Sequence, residues 1–363
     1  MDNMNTLEKY ALRSSRTKTE FKRYGTALLF IAPFILSFIL FFIVPLIYGI
    51  RISFMNFKFS SPGTATYNGA QWYKFIFAPQ SVGTKLAKAA TNASSAFWRS
   101  FMHSFIFALI MVPLAVLVPL GLAILVNLKP PGYKFFRALI YMPSIVPLTA
   151  AGTIFSMLFL DRSQHGLLNE IFGTDIKWFV DSWFKFTIGN FNGDVALAWI
   201  PIFLMCFWGG WGGNFIILSA GLQNIPKSLY EASNIDGASP MKRVMAVTIP
   251  GIKGQLVLCL FTTIIGYLGL YGQNYVLSNG GPVIPALSSM PGGGKTSTIM
   301  YFIQDIVANR PTFKDTLYGL GAAASIVYAI LVGIISGIQM WATRDRKPGN
   351  RNSEAYAKWA RIN

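Results

Sequence analysis

Six stretches of the chain contain no Asp, Glu, Lys or Arg: Thr26–Ile50, Phe101–Leu128, Ala138–Leu160, Val195–Pro226, Gln255–Leu277 and Thr316–Thr343. Each is long enough to cross a bilayer core of about 30 Å, which takes roughly 20 helical residues. Without water the backbone must satisfy itself, so only helices or a closed barrel can span. Barrel strands show ten-residue alternation, whereas these runs are long and continuously apolar. The pattern therefore predicts an all-α, polytopic membrane protein with six transmembrane helices. Pro33, Pro45, Pro113, Pro119, Pro143 and Pro147 fall within the runs and are expected to kink or end helices. The first run exceeds the about 7–15 apolar residues of a signal peptide and lacks a small-residue cleavage pattern, so it reads as a retained span.

Charge then orients the chain. With a cytoplasmic N-terminus, the inside segments 1–25, 129–137, 227–254 and 344–363 hold 6, 3, 4 and 6 basic residues. The outside segments 51–100, 161–194 and 278–315 hold 6, 3 and 3. The inside segments are shorter in total and thus about twice as dense in Lys and Arg, as the positive-inside rule requires. Both termini are cytoplasmic on this reading. The layout is a basic N-terminal segment (1–25), a membrane domain (26–343) and a basic C-terminal tail (344–363). A net charge of +17 would suit nucleic acid if it formed one patch, but here it is spread over membrane flanks. Charged residues make up only 12% and hydrophobic ones 53%, which leaves too little charge for a soluble surface. One irregularity is the outside segment Arg51–Ser100, with six basic residues and no acid. A translocated loop tolerates this, and a surface for an acidic external partner would use it.

The spans lack the ionisable side chains with which proton-coupled transporters and voltage sensors work. His103 sits near one end of the second run and His165 lies outside, so neither forms a relay. Cys206 and Cys259 fall inside runs and read as packing residues. No ligand set for a metal and no nucleophile–base constellation is evident, so no catalytic site, metal or cofactor is expected. Gly292-Gly293-Gly294-Lys295-Thr296 imitates the end of a phosphate-binding loop, but Ser289 stands where the first glycine is required. It reads as a flexible Gly-rich turn, and the chain has no ATP site of its own. Any transport must draw its energy from elsewhere.

The inside loop of about 222–250 carries the most information. Pro226 can open a short helix, and Gly237 suits the left-handed position that closes one. Ser239 can cap a second helix with Pro240 at its first position. Leu229, Ala232 and Ser233 share a face of the first. A small-residue face of this kind suits either a groove on another protein or packing on the chain's own membrane domain.

Glu231, Gly237 six residues later and Pro250 thirteen after that match the EAA loop of binding-protein-dependent ABC importer permeases. Ile225-Pro226, Ile235-Asp236-Gly237-Ala238 and Ile249-Pro250 resemble the carbohydrate-uptake, maltose-type branch. Ala232 keeps the motif's first alanine and Ser233 replaces the second. Phe136-Arg137-Ala138, Met142-Pro143, Gly166-Leu167-Leu168-Asn169, Asn279-Gly280-Gly281-Pro282 and Tyr301-Phe302 are similar to further family segments.

The resemblance implies a type I importer permease fold that forms the translocation pathway for a carbohydrate, an oligosaccharide in its fuller form. The implied partners are a second, different permease chain, two ATP-binding cassette subunits on the cytoplasmic side and an external substrate-binding protein. Tyr230, Glu231, Ala232, Ser233, Asp236, Gly237 and Pro250 are the implied ATPase-coupling residues. Glu231 would contact the ATPase through charge-assisted bonds. A permease for another polar solute such as glycerol phosphate, and a stand-alone channel or secondary transporter, are the alternatives. Sugar rings stack on aromatic faces and bond to amides and hydroxyls, which makes Trp208, Trp211, Asn214, Tyr267, Tyr271, Gln273 and Asn274 the candidate pathway residues. Aromatic belts and packing through Gly209, Gly210, Gly212 and Gly213 are competing roles for that region.

Overall fold

The computed structural model describes residues 29–58, 60–79, 87–188, 191–288, 291–308 and 317–343. The basic terminal segments lie outside the described residues. In chain order the helices are α1 (Leu29–Ile52), α2 (Gln71–Phe77), α3 (Ala87–Asn127), α4 (Tyr133–Tyr141) and α5 (Leu148–Leu158). They continue with α6 (Leu167–Phe172), α7 (Trp199–Gln223), α8 (Lys227–Ile235), α9 (Pro240–Gly251) and α10 (Lys253–Leu268). The last three are α11 (Gly272–Ser278), α12 (Ile299–Ala308) and α13 (Tyr318–Thr343).

Four of these, α1, α3, α7 and α13, are long and apolar enough to cross a membrane unbroken. Two bent pairs, Tyr133–Ile145 with α5 at 91° and α9 with α10 at 74°, bring the total to six when each is counted as one broken span. Proline explains the first bend. Val146, preceding Pro147, takes extended backbone (ψ 126°), because a following proline disfavours the helical region. Two other prolines are absorbed without a break. Pro45 and Pro250 each lie two residues beyond a π-helical turn, Ile39–Ile43 and Val244–Thr248 respectively. A proline removes one backbone donor, and the wider turn re-registers the carbonyls that would face it.

Two antiparallel ribbons lie outside the spans. One is β1 (Met55–Asn56) with β2 (Thr66–Tyr67); the other is β3 (Ser182–Ile188) with β4 (Phe191–Ala196). The fourth apolar run therefore begins as strand, and its helix starts at Trp199.

The outside segments differ from the sequence expectation. Segments 51–100 and 278–315 are not plain loops. α3 begins well before Phe101, and at 41 residues it is about 62 Å long. Trp72, Phe75 and Ile76 of α2 pack with Phe97 of α3, Ile299, Phe302 and Ile306 of α12, and Leu320 of α13. A second core joins Val116 and Leu120 of α3 to Phe215, Leu218 and Leu222 of α7 and Cys259 of α10. A third gathers Phe107 and Met111 of α3, Ala151 of α5, Ile202 and Met205 of α7, and Leu270 and Leu277 beyond α10. The outer faces of α1 and α13, including Phe30, Phe41, Ile334 and Trp341, are exposed and apolar. A bilayer covers such faces; water would not tolerate so large an area.

The glycine-rich segment is likewise not a flexible turn. Residues 291–294 and 296–299 are buried. A Cβ on Gly292 would stand 2.7 Å from Phe302, and one on Gly294 2.0 Å from the Gly280 carbonyl oxygen. The glycines are there for close approach. Gly292 N–H donates to Asp305 Oδ2 (2.9 Å) and its carbonyl accepts from Arg99 Nη2 (3.1 Å). Asp305 is 2% exposed on a helix that the hydropathy runs do not include.

Candidate coupling loop and pathway residues

The loop after α7 folds as its residues dictate. Pro226 caps α8 in extended geometry (ψ 132°). At the other end Gly237 takes φ +66°, Ala238 N–H donates to the Ser233 carbonyl (3.0 Å), and Gly237 N–H donates to that of Asn234 (3.1 Å). This is the two-bond Schellman closure, which satisfies carbonyls that a helix end leaves open. Ser239 Oγ then accepts from Lys242 N–H (3.4 Å), and Pro240 occupies the first position of α9. Arg243 Nη1 donates to Asn234 Oδ1 across the turn.

The candidate coupling residues divide between two directions. Glu231, Ala232, Asp236, Gly237 and Pro250 are exposed. Tyr230 turns inward instead. Its hydroxyl lies 3.1 Å from Thr248 Oγ1, and its ring joins the core containing Leu222, Ile225 and Ile252. Ser233 is half-buried and donates to the Tyr230 carbonyl (2.8 Å). Tyr230 thus ties α8 to the π-helical turn of α9, and the exposed side carries Glu231. Ile235 (87% exposed), Met241, Met245 and Leu229 add apolar side chains to that outward surface. Of these, sequence reasoning singled out only Leu229. The signal for the others was the presence of large apolar residues in a charged loop.

The pathway residues also divide. Asn214 is buried and its amide donates to the Ala115 carbonyl (2.7 Å) and Thr263 Oγ1 (2.9 Å), bonding α7 to α3 and α10. Asn274 is fully buried. It donates to the Thr296 carbonyl (2.6 Å) and accepts from Ser278 Oγ (2.7 Å) and Thr296 Oγ1 (3.2 Å). Both amides act as clamps between segments. Tyr267 reaches the Cys206 carbonyl (3.4 Å) and packs edge-on against Phe107. Trp208 lies against Phe155 and Trp211 against Phe207. Tyr271 stacks on Tyr275 (5.5 Å between centroids, 26°), and Gln273 is half-buried at the same break. His103 packs against Trp199 and its Nδ1 lies 2.9 Å from the Ser297 carbonyl. That is a packing role.

The glycines of α7 split in the same way. Ser144 Oγ donates to the Gly209 carbonyl (2.8 Å) and accepts from Gly212 N–H (3.0 Å). A Cβ on Gly212 would stand 2.2 Å from that oxygen. Gly210 makes room for Tyr267, while Gly209 and Gly213 face open space.

Residues 118–347, more than half of the chain, match the family model described as binding-protein-dependent transport system inner membrane component. The chain belongs to this family. Among its relatives, the arabinooligosaccharides transport system permease protein AraP of Bacillus subtilis (strain 168) is 29% identical over 313 residues, covering 86% of each chain. The lactose transport system permease protein LacF of Rhizobium radiobacter is 29% identical over 262 residues, 69% of this chain and 77% of that one. Among solved structures, a bacterial ABC transporter involved in import of the acidic polysaccharide alginate superposes with a TM-score of 0.63. The alignment has 15% identity and covers 92% of this chain and 99% of that one. At that identity the likeness speaks for the fold alone: a type I importer permease. The permease is therefore a multi-pass inner-membrane transport component.

Proposed function

We propose that this permease forms one half of the membrane pathway of an ATP-driven importer for a carbohydrate delivered by an external binding protein. The observation that carries the reading is the coupling loop. Tyr230 and the Schellman turn hold a short helix on the membrane domain with Glu231, Leu229 and Ile235 turned outward. An exposed carboxylate on a short helix that also exposes apolar side chains suits a groove with a basic group in it. Two ATPase subunits on the cytoplasmic side would engage this face on the permease and on its partner chain. Closure of the ATPases would then move the spans between outward- and inward-facing arrangements. Both termini are cytoplasmic in this arrangement, which the basic density of the inside segments supports.

The carbohydrate class is supported by the relatives, named for arabinooligosaccharides and lactose, and an oligosaccharide is the preferred form. Trp208, Trp211, Tyr267, Tyr271 and Gln273 are the candidate contacts for it, whereas the amides of Asn214 and Asn274 are engaged between segments. The test replaces residues 227–240 with a Gly/Ser linker in the co-expressed transporter. Loss of the co-purifying ATPase and of ATP-dependent sugar uptake, with the permease still in the membrane, is the expected result. Unchanged uptake, or an ATPase that stays bound, overturns the reading.

A further inference from the structure

At the end of α7 opposite the coupling loop, a cavity of about 750 Å³ opens between the root of the β3–β4 ribbon and the glycine-rich segment. It is a groove open to the surface rather than an enclosed cavity. Two indoles line it, Trp178 and Trp183, together with the carboxylates of Asp175 and Asp181, the Ser182 hydroxyl and the Lys295 ammonium. Lys295 Nζ donates to Ser182 Oγ at 2.9 Å, joining the two walls.

The frame around it is firm. Trp178 stands edge-on against Phe159 (5.1 Å between centroids, 90°). Asp181 N–H donates to the Lys177 carbonyl (2.8 Å), and the Asp181 carbonyl accepts from Leu197 N–H (3.0 Å). Lys177 N–H in turn meets Asp181 Oδ2 at 3.3 Å, which fixes the carboxylate at the mouth. Lys295 projects from the buried strip held by Asn274, whose amide donates to the Thr296 carbonyl. Trp183, by contrast, is 66% exposed and presents its ring at the rim. Neither the coupling function nor the pathway residues use any of these side chains.

We propose that this cavity is a binding site for a short neutral saccharide, where the sugar rests before it enters the pathway. The chemistry is that of a ring ligand with many hydroxyls. The apolar C–H face of a pyranose or furanose stacks on an indole. Its hydroxyls donate to Asp175 and Asp181 and accept from Lys295 and Ser182. A cationic ligand would also favour indoles and carboxylates, but the Lys295 ammonium stands in the same wall and repels it. An anionic sugar meets two carboxylates against one ammonium. The site rests on the carbohydrate reading above and gives it a location at the receiving end of the molecule.

The experiment uses the full-chain permease in its complex with the partner permease and ATPases, in lipid nanodiscs, without binding protein. Arabinotriose, maltotriose, lactose and tetramethylammonium are titrated separately, and binding is read by saturation-transfer NMR and tryptophan fluorescence. ATP-dependent uptake of the same sugars is measured in parallel, with binding protein present. At least one sugar is expected to bind. Trp183→Ala should weaken it tenfold or more, Trp183→Phe should restore most of the loss, and Asp181→Asn should weaken it several-fold. Trp183 is an exposed rim residue, so its truncation leaves the core intact, and an unchanged thermal midpoint and subunit composition of the complex check this. Three results overturn the site: no sugar binding, sugar binding unaffected by Trp183→Ala, or binding of tetramethylammonium in place of sugar. Uptake with no Trp183-dependent binding removes the site and leaves the import function standing. Trp183-dependent binding with no uptake of any sugar supports the site and removes that function.

Discussion

Gly237 offers the sharpest test of the proposed coupling loop. Its φ of +66° costs an alanine about 1–2 kcal/mol, because Cβ then crowds the following carbonyl oxygen. The surroundings contribute nothing to this cost, since no atom lies within 4 Å of a Cβ built there. The whole penalty therefore falls on the turn, on the bonds from Gly237 and Ala238 to Asn234 and Ser233. α8 is nine residues long and is held to the membrane domain chiefly through Tyr230, so it has little other contact with which to absorb the loss. About 1–2 kcal/mol corresponds to a factor of about 5–30 in the ratio of native to alternative conformers. Gly237→Ala should weaken retention of the ATPase by a factor in that range and reduce uptake in step. Gly237→Asn should recover most of it, because asparagine tolerates the left-handed region. The assay is titration of the purified ATPase onto the permease in nanodiscs, with uptake by proteoliposomes alongside. Equal affinity for wild type and Gly237→Ala, or an asparagine variant as weak as the alanine one, would refute the backbone argument.

Other outcomes follow from the same geometry. Glu231→Lys should abolish ATP-coupled uptake without reducing the amount of permease in the membrane, as judged by uptake and immunoblot of membrane fractions; normal uptake would remove Glu231 from the contact. Gly212→Ala brings Cβ to within 2.2 Å of Ser144 Oγ and should cost about 1–3 kcal/mol of overpacking, read as a lower thermal midpoint in detergent. Adding Ser144→Ala should recover only part of it, since Ser144 Cβ would still lie 2.9 Å away. Asn274→Ala leaves the buried Thr296 carbonyl without its amide donor, at about 1–3 kcal/mol. Hydrogen exchange should then rise across residues 291–299 while the α7 core keeps its protection.

Much of this molecule was legible along the chain because the bilayer imposes its own arithmetic. A helix in hydrocarbon must be long, apolar and internally bonded, so charge-free runs marked the four unbroken spans and overlapped each bent pair in part. The turn chemistry of the loop was equally local. Pro226, Gly237, Ser239 and Pro240 act through their own backbone geometry, and each sits where that geometry requires. The EAA spacing, Glu231 to Gly237 to Pro250, carried the family with it for the same reason.

What the sequence could not reveal depended on which segments meet. α12 is a ten-residue helix, too short to register as a crossing, yet it closes a core with α2, α3 and α13. Asp305, within the segment read as an outside loop, is buried and accepts a backbone N–H from Gly292 across the fold. Asn214 and Asn274 had the composition of sugar ligands, and only the positions of Ala115, Thr263 and Thr296 show that their amides are already in use. Tyr230 sits beside Glu231 in the motif but faces the opposite way, because one side of a short helix on a membrane domain must pack inward. Sequence alone settled the crossings and the local turns, which depend on single segments and their solvent. Tertiary structure decided which polar groups are occupied and which still face outward, because a hydrogen bond needs a partner that sequence distance does not reveal.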